Sequence, residues 1–487
     1  MTAVARAGGP RPPVEDEAPR PEELAACLRL LERARATDPD DPRWRAVHEA
    51  ASQLHRSGKK TRKAARRTQR RAEDLDALAA ATRFQDQNPG AHPEPAPASP
   101  AEARPAEARP AEARPAEARP ASGRVLSRAR TCYVCKAPYR DVHPDYHLMC
   151  PECAAENLAR RHARCDLRGR RALVTGGRIK IGFQVALKML RDGAEVLVTT
   201  RFPRDAARRF AAVPDSAEWL SRLHVHGVDL LDLPGVAGLL DAVHARFDHL
   251  DVLVNNAAQT VRRPPAYHRE VRAAEALPLT GAAARADVAE GGRAALEAGP
   301  TAALAVPDDA LFPAGLTDET GQPLDLRDRN SWTLRLHEVD PGEWLEVQMV
   351  NAFAPFLLTS RLRGLLEASP FPDRYAVQVS AMEGSFSREH KTVRHPHTNM
   401  AKAALNMMTR TSAADYAAAG IHMTSVDTGW VTDERPHPGK LEQFAAGFRP
   451  PLDVIDGAAR VYDPVVRGVG GERLSGVFLK DYRPVEW

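Results

Sequence analysis

Arg171-Ala-Leu-Val-Thr-Gly-Gly-Arg-Ile-Lys-Ile-Gly182 runs from an apolar strand through a glycine turn into the start of an amphipathic helix. The helix continues over 183–191 and a second strand follows at 194–200. Strand, tight turn and helix in this order let backbone approach a pyrophosphate while the helix N-terminus faces its charge. A glycine turn by itself is more often only a turn, so its meaning depends on what surrounds it.

Working outward, apolar runs recur at 172–175, 195–200, 223–228, 252–255, 375–380, 422–426 and 476–480, with helical periodicity between them, including a long stretch at 341–365. Strands alternating with helices predict an α/β protein, a Rossmann-type doubly wound parallel sheet with ligands at the carboxyl ends of its strands. The stretch between Asn256 and Asn351 is longer than this architecture needs. An insertion at about 262–330 is expected there, partly disordered, and a tolerated surface insertion is preferred over a lid.

Over about 167–487 the sequence resembles the short-chain dehydrogenase/reductase superfamily. The resemblance rests on the turn Thr175–Gly182, Asp229-Leu230, Asn255-Asn-Ala-Ala258, Asn351, Ser380, Lys402 and Asp427-Thr-Gly-Trp-Val-Thr432. It implies hydride transfer between a nicotinamide dinucleotide and a carbonyl or alcohol. Thr175, Gly176, Arg178, Lys180, Ile181, Gly182, Arg201, Asp229, Leu230, Asn256, Ala257, Lys402, Thr428, Gly429 and Thr432 would surround the cofactor, and Asn351, Ser380, Thr398 and Lys402 would form the catalytic group. Homodimers or homotetramers built on the long helices are implied as well. Arg201 stands just past the second strand, where an acidic residue would bind an adenosine ribose; a guanidinium there suits a 2'-phosphate, so NADP(H) is expected over NAD(H).

Two departures stand out. The pattern would have glycine at 180, where this chain has Lys180. The family's Tyr-x-x-x-Lys is Thr398-Asn-Met-Ala-Lys402 here, and an aliphatic hydroxyl is a far weaker acid than a phenol of pKa about 10. Three accounts stay open: Thr398 relays a proton through water to Lys402, His395 or His397 is the acid, or the site binds nucleotide without turnover. Thr398 as a plain helix cap is a fourth.

The rest of the 487 residues carries other modules. With 68 basic and 64 acidic residues, no overall field marks a nucleic-acid or membrane binder. Residues 1–20 are expected to be disordered and lack the apolar core of a signal peptide; no run is long and apolar enough to span a membrane, and a cytoplasmic location is expected. Residues 21–84 form a basic helical region with breaks at 38–42 and at Ser57-Gly58. Its run at 56–71 reads as a solvated face in preference to a contact with nucleic acid or a protein. Proline, alanine, glutamate and arginine dominate a linker at 85–128.

Cys132-Tyr-Val-Cys135 and Cys150-Pro-Glu-Cys153 then make two knuckles in a module at 129–162, ahead of the dinucleotide domain at 163–487. Four thiolates at this spacing predict a closed structural zinc site that is complete without His143 and His147, the candidate competing ligands between the knuckles; a redox dithiol or unligated thiols are the alternatives. An active oxidoreductase is the expected function. A degenerate nucleotide-binding scaffold, using the zinc module and basic helices to bind partners, is the alternative.

Overall fold

The structure, a computed structural model, describes residues 19–86, 124–289, 310–318, 320–388 and 391–487. The expected disordered N-terminus, most of the linker and the middle of the insertion lie outside the described residues. Two compact units are present, Met1–Asp74 and Leu75–Trp487. In the first, α1 (Pro21–Arg35) precedes α2 (Arg45–Ala79), whose last residues belong to the second.

The break expected at Ser57-Gly58 does not occur, because α2 is continuous. A glycine inside a helix costs about 1 kcal/mol, which the strong helix formers that follow it can absorb. Lys59, Lys60, Arg62, Lys63, Arg66 and Arg67 supply them, and all are exposed.

In the second unit, α3 (Thr82–Asp86) is followed by a hairpin of β1 (Val125–Thr131) and β2 (Pro138–Asp141), and by α4 (Pro151–Arg161). The hairpin begins at Val125, inside the stretch expected as linker. This small module buries Leu126, Tyr146 and Met149 together with Leu78 of α2 and with Val431 and Leu452 from far along the chain.

The dinucleotide-type region comprises β3 (Arg171–Thr175), α5 (Lys180–Arg191), β4 (Glu195–Thr200), α6 (Pro203–Ala211), β5 (Leu223–Gly227), α7 (Leu233–Arg246), β6 (Val252–Asn255) and α8 (Arg269–Glu275). It continues with β7 (Asp287–Ala289), α9 (Pro341–Gln348), α10 (Ala354–Arg361), α11 (Arg363–Glu367), β8 (Arg374–Ser380), α12 (Pro396–Ala418) and β9 (Ile421–Asp427). Last come α13 (His437–Ala445), α14 (Val454–Val469), β10 (Val477–Lys480) and β11 (Arg483–Val485).

The nine-stranded sheet has the order β11-β10-β9-β8-β6-β3-β4-β5-β7 and is parallel except for β11. All seven expected strands are in it. Strand alternation divides the core: Ala172, Val174, Val196 and Val198 join α5 and α14 on one face, while Leu173, Leu197 and Leu253 join α7, α10 and α11 on the other. Both faces are covered, which is why these strands read as unbroken apolar runs. After β3 the chain builds outward through β4 and β5, then returns to β6 on the other side of β3. That reversal opens the crevice at their carboxyl ends.

The insertion differs from the expectation of a surface appendage. It adds β7 to the edge of the sheet beside β5 and buries Tyr267 and Phe312. The helix expected at 341–365 is interrupted by a π-helical turn, Met349–Phe353.

Candidate functional site

The glycine turn owes its shape to close approach. Gly176 has φ +70°, and a Cβ at Gly182 would stand 2.3 Å from the Gly176 carbonyl oxygen. Asn256 Nδ2 donates to the Thr175 and Gly176 carbonyls at 2.9 and 3.2 Å, while Thr175 Oγ1 accepts from the Asn256 and Ala257 amides at 3.0 Å each. The Asn256 side chain therefore braces the turn instead of pointing into the crevice. Ile181 packs into the core beside α14, and Asn255 ties β6 to Gln378 and Thr359.

Lys180 takes the left-handed backbone that glycine would supply, φ +52°, at a cost of about 1–2 kcal/mol. Its ammonium spans the crevice to Glu434 at 3.5 Å, and Thr432 Oγ1 donates to the same carboxylate at 2.8 Å. Burial opposes the Lys180 charge, yet Glu434 and Asp318 hold its pKa above the ordinary value. Lys180 in turn holds the Glu434 carboxyl down to about 2, against burial.

At the end of β4, Arg178 and Arg201 both lie over the Phe202 ring, at 5.3 and 5.7 Å. Arg178 donates to Asp205 at 2.6 Å and to Gln322 of the insertion at 3.0 Å. Arg201 lies 3.4 Å from His268 Nε2, and burial together with Arg201 and Arg178 pushes that imidazole down to about 2. This corner is cationic, with a neutral histidine. Asp229 accepts from the Leu231 amide at 3.0 Å in a turn, and Leu230 is buried in the core.

Ser380 and Lys402 come together where β8 meets α12. Lys402 Nζ donates to the Val379 carbonyl at 2.7 Å, and burial pushes the ammonium down to about 8 against the pull of Glu383. Ser380 Oγ donates to Asn406 Oδ1 at 2.6 Å and lies 3.4 Å from the Lys402 carbonyl. Its single proton is committed to Asn406, so the hydroxyl must turn to polarise a substrate oxygen. Asn406 was not singled out from the sequence, although it lies one helical turn beyond Lys402 on the same face. Asn351, in the π-turn, accepts from the Gln259 amide at 2.6 Å and donates to the Gln259 carbonyl at 3.0 Å.

Thr398 is not the helix cap. α12 begins at Pro396, and Thr398 Oγ1 donates back to the His395 carbonyl at 3.0 Å. His395 stacks on Trp332, with ring centroids 4.0 Å apart and Nδ1 2.9 Å from Asn399, and burial lowers its pKa. His397 is fully buried with Nε2 3.3 Å from Glu343.

Behind β9, Asp427 Oδ1 accepts from the Gly429 amide at 2.8 Å, and Gly429 has φ +76°. Thr428 lies between them, half-buried.

The four cysteine sulfurs 132, 135, 150 and 153 all lie within 4.8 Å of one another. Cys135 and Cys150 are 3.7 Å apart, close to the roughly 3.8 Å edge of a tetrahedron with zinc–sulfur bonds of about 2.3 Å. The Cys150 amide donates to Cys132 Sγ at 3.3 Å. All four are free thiols, so the spacing fits a tetrahedral metal and no disulfide closes it. His143 and His147 are engaged elsewhere: His143 accepts from the Asp145 amide at 3.1 Å and His147 packs edge-on against Phe84.

The family model described as short chain dehydrogenase matches residues 170–277. An uncharacterised protein of Acanthamoeba polyphaga mimivirus is 33% identical over 351 residues, covering 69% of this chain and 71% of that protein. The chain belongs to the short-chain dehydrogenase family. Carbonyl reductase [NADPH] 1 of Sus scrofa is 43% identical over 88 residues, which is 18% of this chain and 29% of the relative. The structure of an NADPH-bound carbonyl reductase from chicken fatty liver covers 66% of this chain and all of its own, with 18% identity and a TM-score of 0.42. The family match lies in the first half of the sheet, whereas Ser380, Thr398 and Lys402 lie beyond residue 277. Among the described residues, no helix is long and apolar enough to cross a membrane.

Proposed function

We propose that this protein is an NADP(H)-dependent oxidoreductase of cytoplasmic location, interconverting a small carbonyl and an alcohol, with zinc held structurally by Cys132, Cys135, Cys150 and Cys153. The observation that carries this reading is the buried Lys402 ammonium, pushed down to about 8, beside Ser380 at the end of β8. A bound nicotinamide would supply the hydride. The chain's own part is to place the dinucleotide and to move a proton.

Gly176, Gly182 and Thr175 would seat the pyrophosphate and Asp229 would lie by the adenine. The Arg178–Arg201 corner would take a 2'-phosphate, since two guanidiniums beside a neutral histidine favour a dianion over a ribose hydroxyl. Thr428, Gly429 and Thr432 would face the nicotinamide. Ser380 would turn from Asn406 to the substrate oxygen, and Asn351 would hold the backbone at Gln259.

The proton must come from elsewhere than Thr398, whose hydroxyl is spent on the His395 carbonyl and is too weak an acid. Burial pushes the Lys402 ammonium down to about 8 beside Ser380, so it serves as donor in reduction and acceptor in oxidation. Purified protein should quench or shift NADPH fluorescence and oxidise NADPH against a panel of aldehydes and ketones, with Lys402→Met inactive. No NADPH binding at millimolar cofactor sinks the proposal.

A second reading, a nucleotide-responsive scaffold, is favoured by the Lys180–Glu434 bridge across the crevice and by the engaged Ser380 hydroxyl. NADPH binding without turnover on the whole panel would select it.

A further inference from the structure

The cysteine module touches both ends of the loop that follows β9. At the near end, Tyr133, which lies between Cys132 and Cys135, accepts a hydrogen bond from the Trp430 amide at 2.9 Å. Its phenol oxygen would stand 3.2 Å from a Cβ at Gly429, so phenol and loop backbone are in contact. At the far end, Asp453 caps α14 by accepting from the Ile455 and Asp456 amides at 2.9 Å each. The same carboxylate takes both nitrogens of Arg161, at 2.6 and 2.8 Å. Arg161 also reaches Asp456 at 2.9 Å, where Tyr146 and Asn157 donate at 2.7 and 3.2 Å. Arg161 and Asn157 belong to α4, which starts directly after Cys150 and contains Cys153.

From these contacts we infer that the cysteine centre is a clamp on loop 428–453, with Tyr133 as the positioning residue that fixes its first turn. The inference rests on the tetrahedral-metal reading above but not on turnover. Tyr133 lies between two cysteines that would both ligate the metal, so a bound metal would fix the backbone that carries its ring. Arg161 is set the same way through α4. The loop so held contains Thr428, Thr432 and Glu434, and it faces the turn at Lys180. Through Tyr133 and Arg161, the four cysteines would therefore link metal binding to the shape of the nucleotide crevice.

The test is hydrogen–deuterium exchange on the full-length, zinc-loaded protein. In Tyr133→Phe, exchange at Trp430 should rise about fivefold, the effect of one lost neutral hydrogen bond, with zinc content, melting temperature and exchange in β8 unchanged. NADPH affinity of the same variant should fall by a similar factor, which a merely structural change at constant melting temperature would not produce. In the unmutated protein, removing zinc with a chelator should raise exchange across 428–453 as well as in 124–161, and zinc should restore it. Chelation that loosens 124–161 alone overturns the clamp, and an unchanged Trp430 amide in Tyr133→Phe overturns the part given to Tyr133. A chain that takes up no zinc overturns the metal reading together with the clamp's dependence on it; unmutated protein that binds zinc but no NADPH fails only the oxidoreductase reading.

Discussion

Lys402 carries opposite demands of stability and chemistry. Its folded pKa of about 8 lies below the ordinary 10.5, so the native state binds the proton less tightly than the unfolded one. Burying the charge therefore costs stability at pH values below about 8, and the cost fades as pH rises from there towards 10.5. Lys402→Met should stabilise the protein at pH 7 by about 2 kcal/mol, after loss of the bond to Val379, while abolishing turnover. Urea unfolding at pH 7 and pH 10 checks this: the two proteins should converge at the higher pH. The activity sign follows too, since reduction should fall and oxidation rise as pH passes about 8. Lys180 gives a second expectation at this scale. Lys180→Gly relieves the left-handed backbone and removes the bridge to Glu434, and Glu434→Gln removes the bridge alone. If the bridge occupies the crevice, both variants should bind NADPH more tightly, by about fivefold in titrations of cofactor fluorescence; weaker binding in Lys180→Gly with tighter binding in Glu434→Gln would show instead that Lys180 contacts the phosphates.

At the scale of elements, α4 and α14 are joined by buried charge. Asp456 is fully buried beneath Arg161, Tyr146 and Asn157, and Arg161 has little else to pair with than Asp453 and Asp456. Removing one partner of such a set strands the other, at a cost of about 3–5 kcal/mol. Asp456→Ala should therefore destabilise the protein by about 3 kcal/mol in urea unfolding, whereas breaking the solvent-exposed pair Arg168–Asp166 by Asp166→Ala should leave the unfolding curve essentially where it is. These elements also show what could be read in advance. Every sheet strand with an unbroken apolar run was legible, because burial on both faces writes itself into the strand. Thr398 and Lys180 were legible as departures because their positions are fixed by local spacing. The partners were not: Glu434, Asn406 and Trp430 meet Lys180, Ser380 and Tyr133 through tertiary contacts that no local period announces. β7 was missed because three residues on a sheet edge leave no pattern, and the continuity of α2 because a glycine weakens a helix without ending it.

At the scale of the whole molecule, one face of the dinucleotide region carries exposed apolar side chains among the described residues. α9 and α12 pack on each other, with Gln348 Nε2 donating to the His397 carbonyl at 3.1 Å. On these helices and the adjoining α10, Leu345 is 58% exposed, Phe356 52% and Met407 55%; Trp344 and Met400 add to α9 and α12, and Leu336 and Phe353 are exposed in the turns beside them. Large apolar side chains grouped in this way on helices are costly in water and mark an interface. A second copy of the chain fits best, because two-fold association lets one self-complementary patch cover itself. We expect a homodimer or a homotetramer in solution, formed through α9, α10 and α12. Burying these side chains at about 25 cal/mol per Å² offsets the loss of translational freedom only if most of the patch takes part, so a charge near its centre should be decisive. Phe356→Glu combined with Leu345→Glu should shift the protein to a monomer in sedimentation velocity without lowering its melting temperature by more than dissociation itself does. Deleting residues 1–74 should leave the oligomer intact, since that unit contributes none of these side chains. A double variant that still sediments as the unmutated protein would place the interface elsewhere.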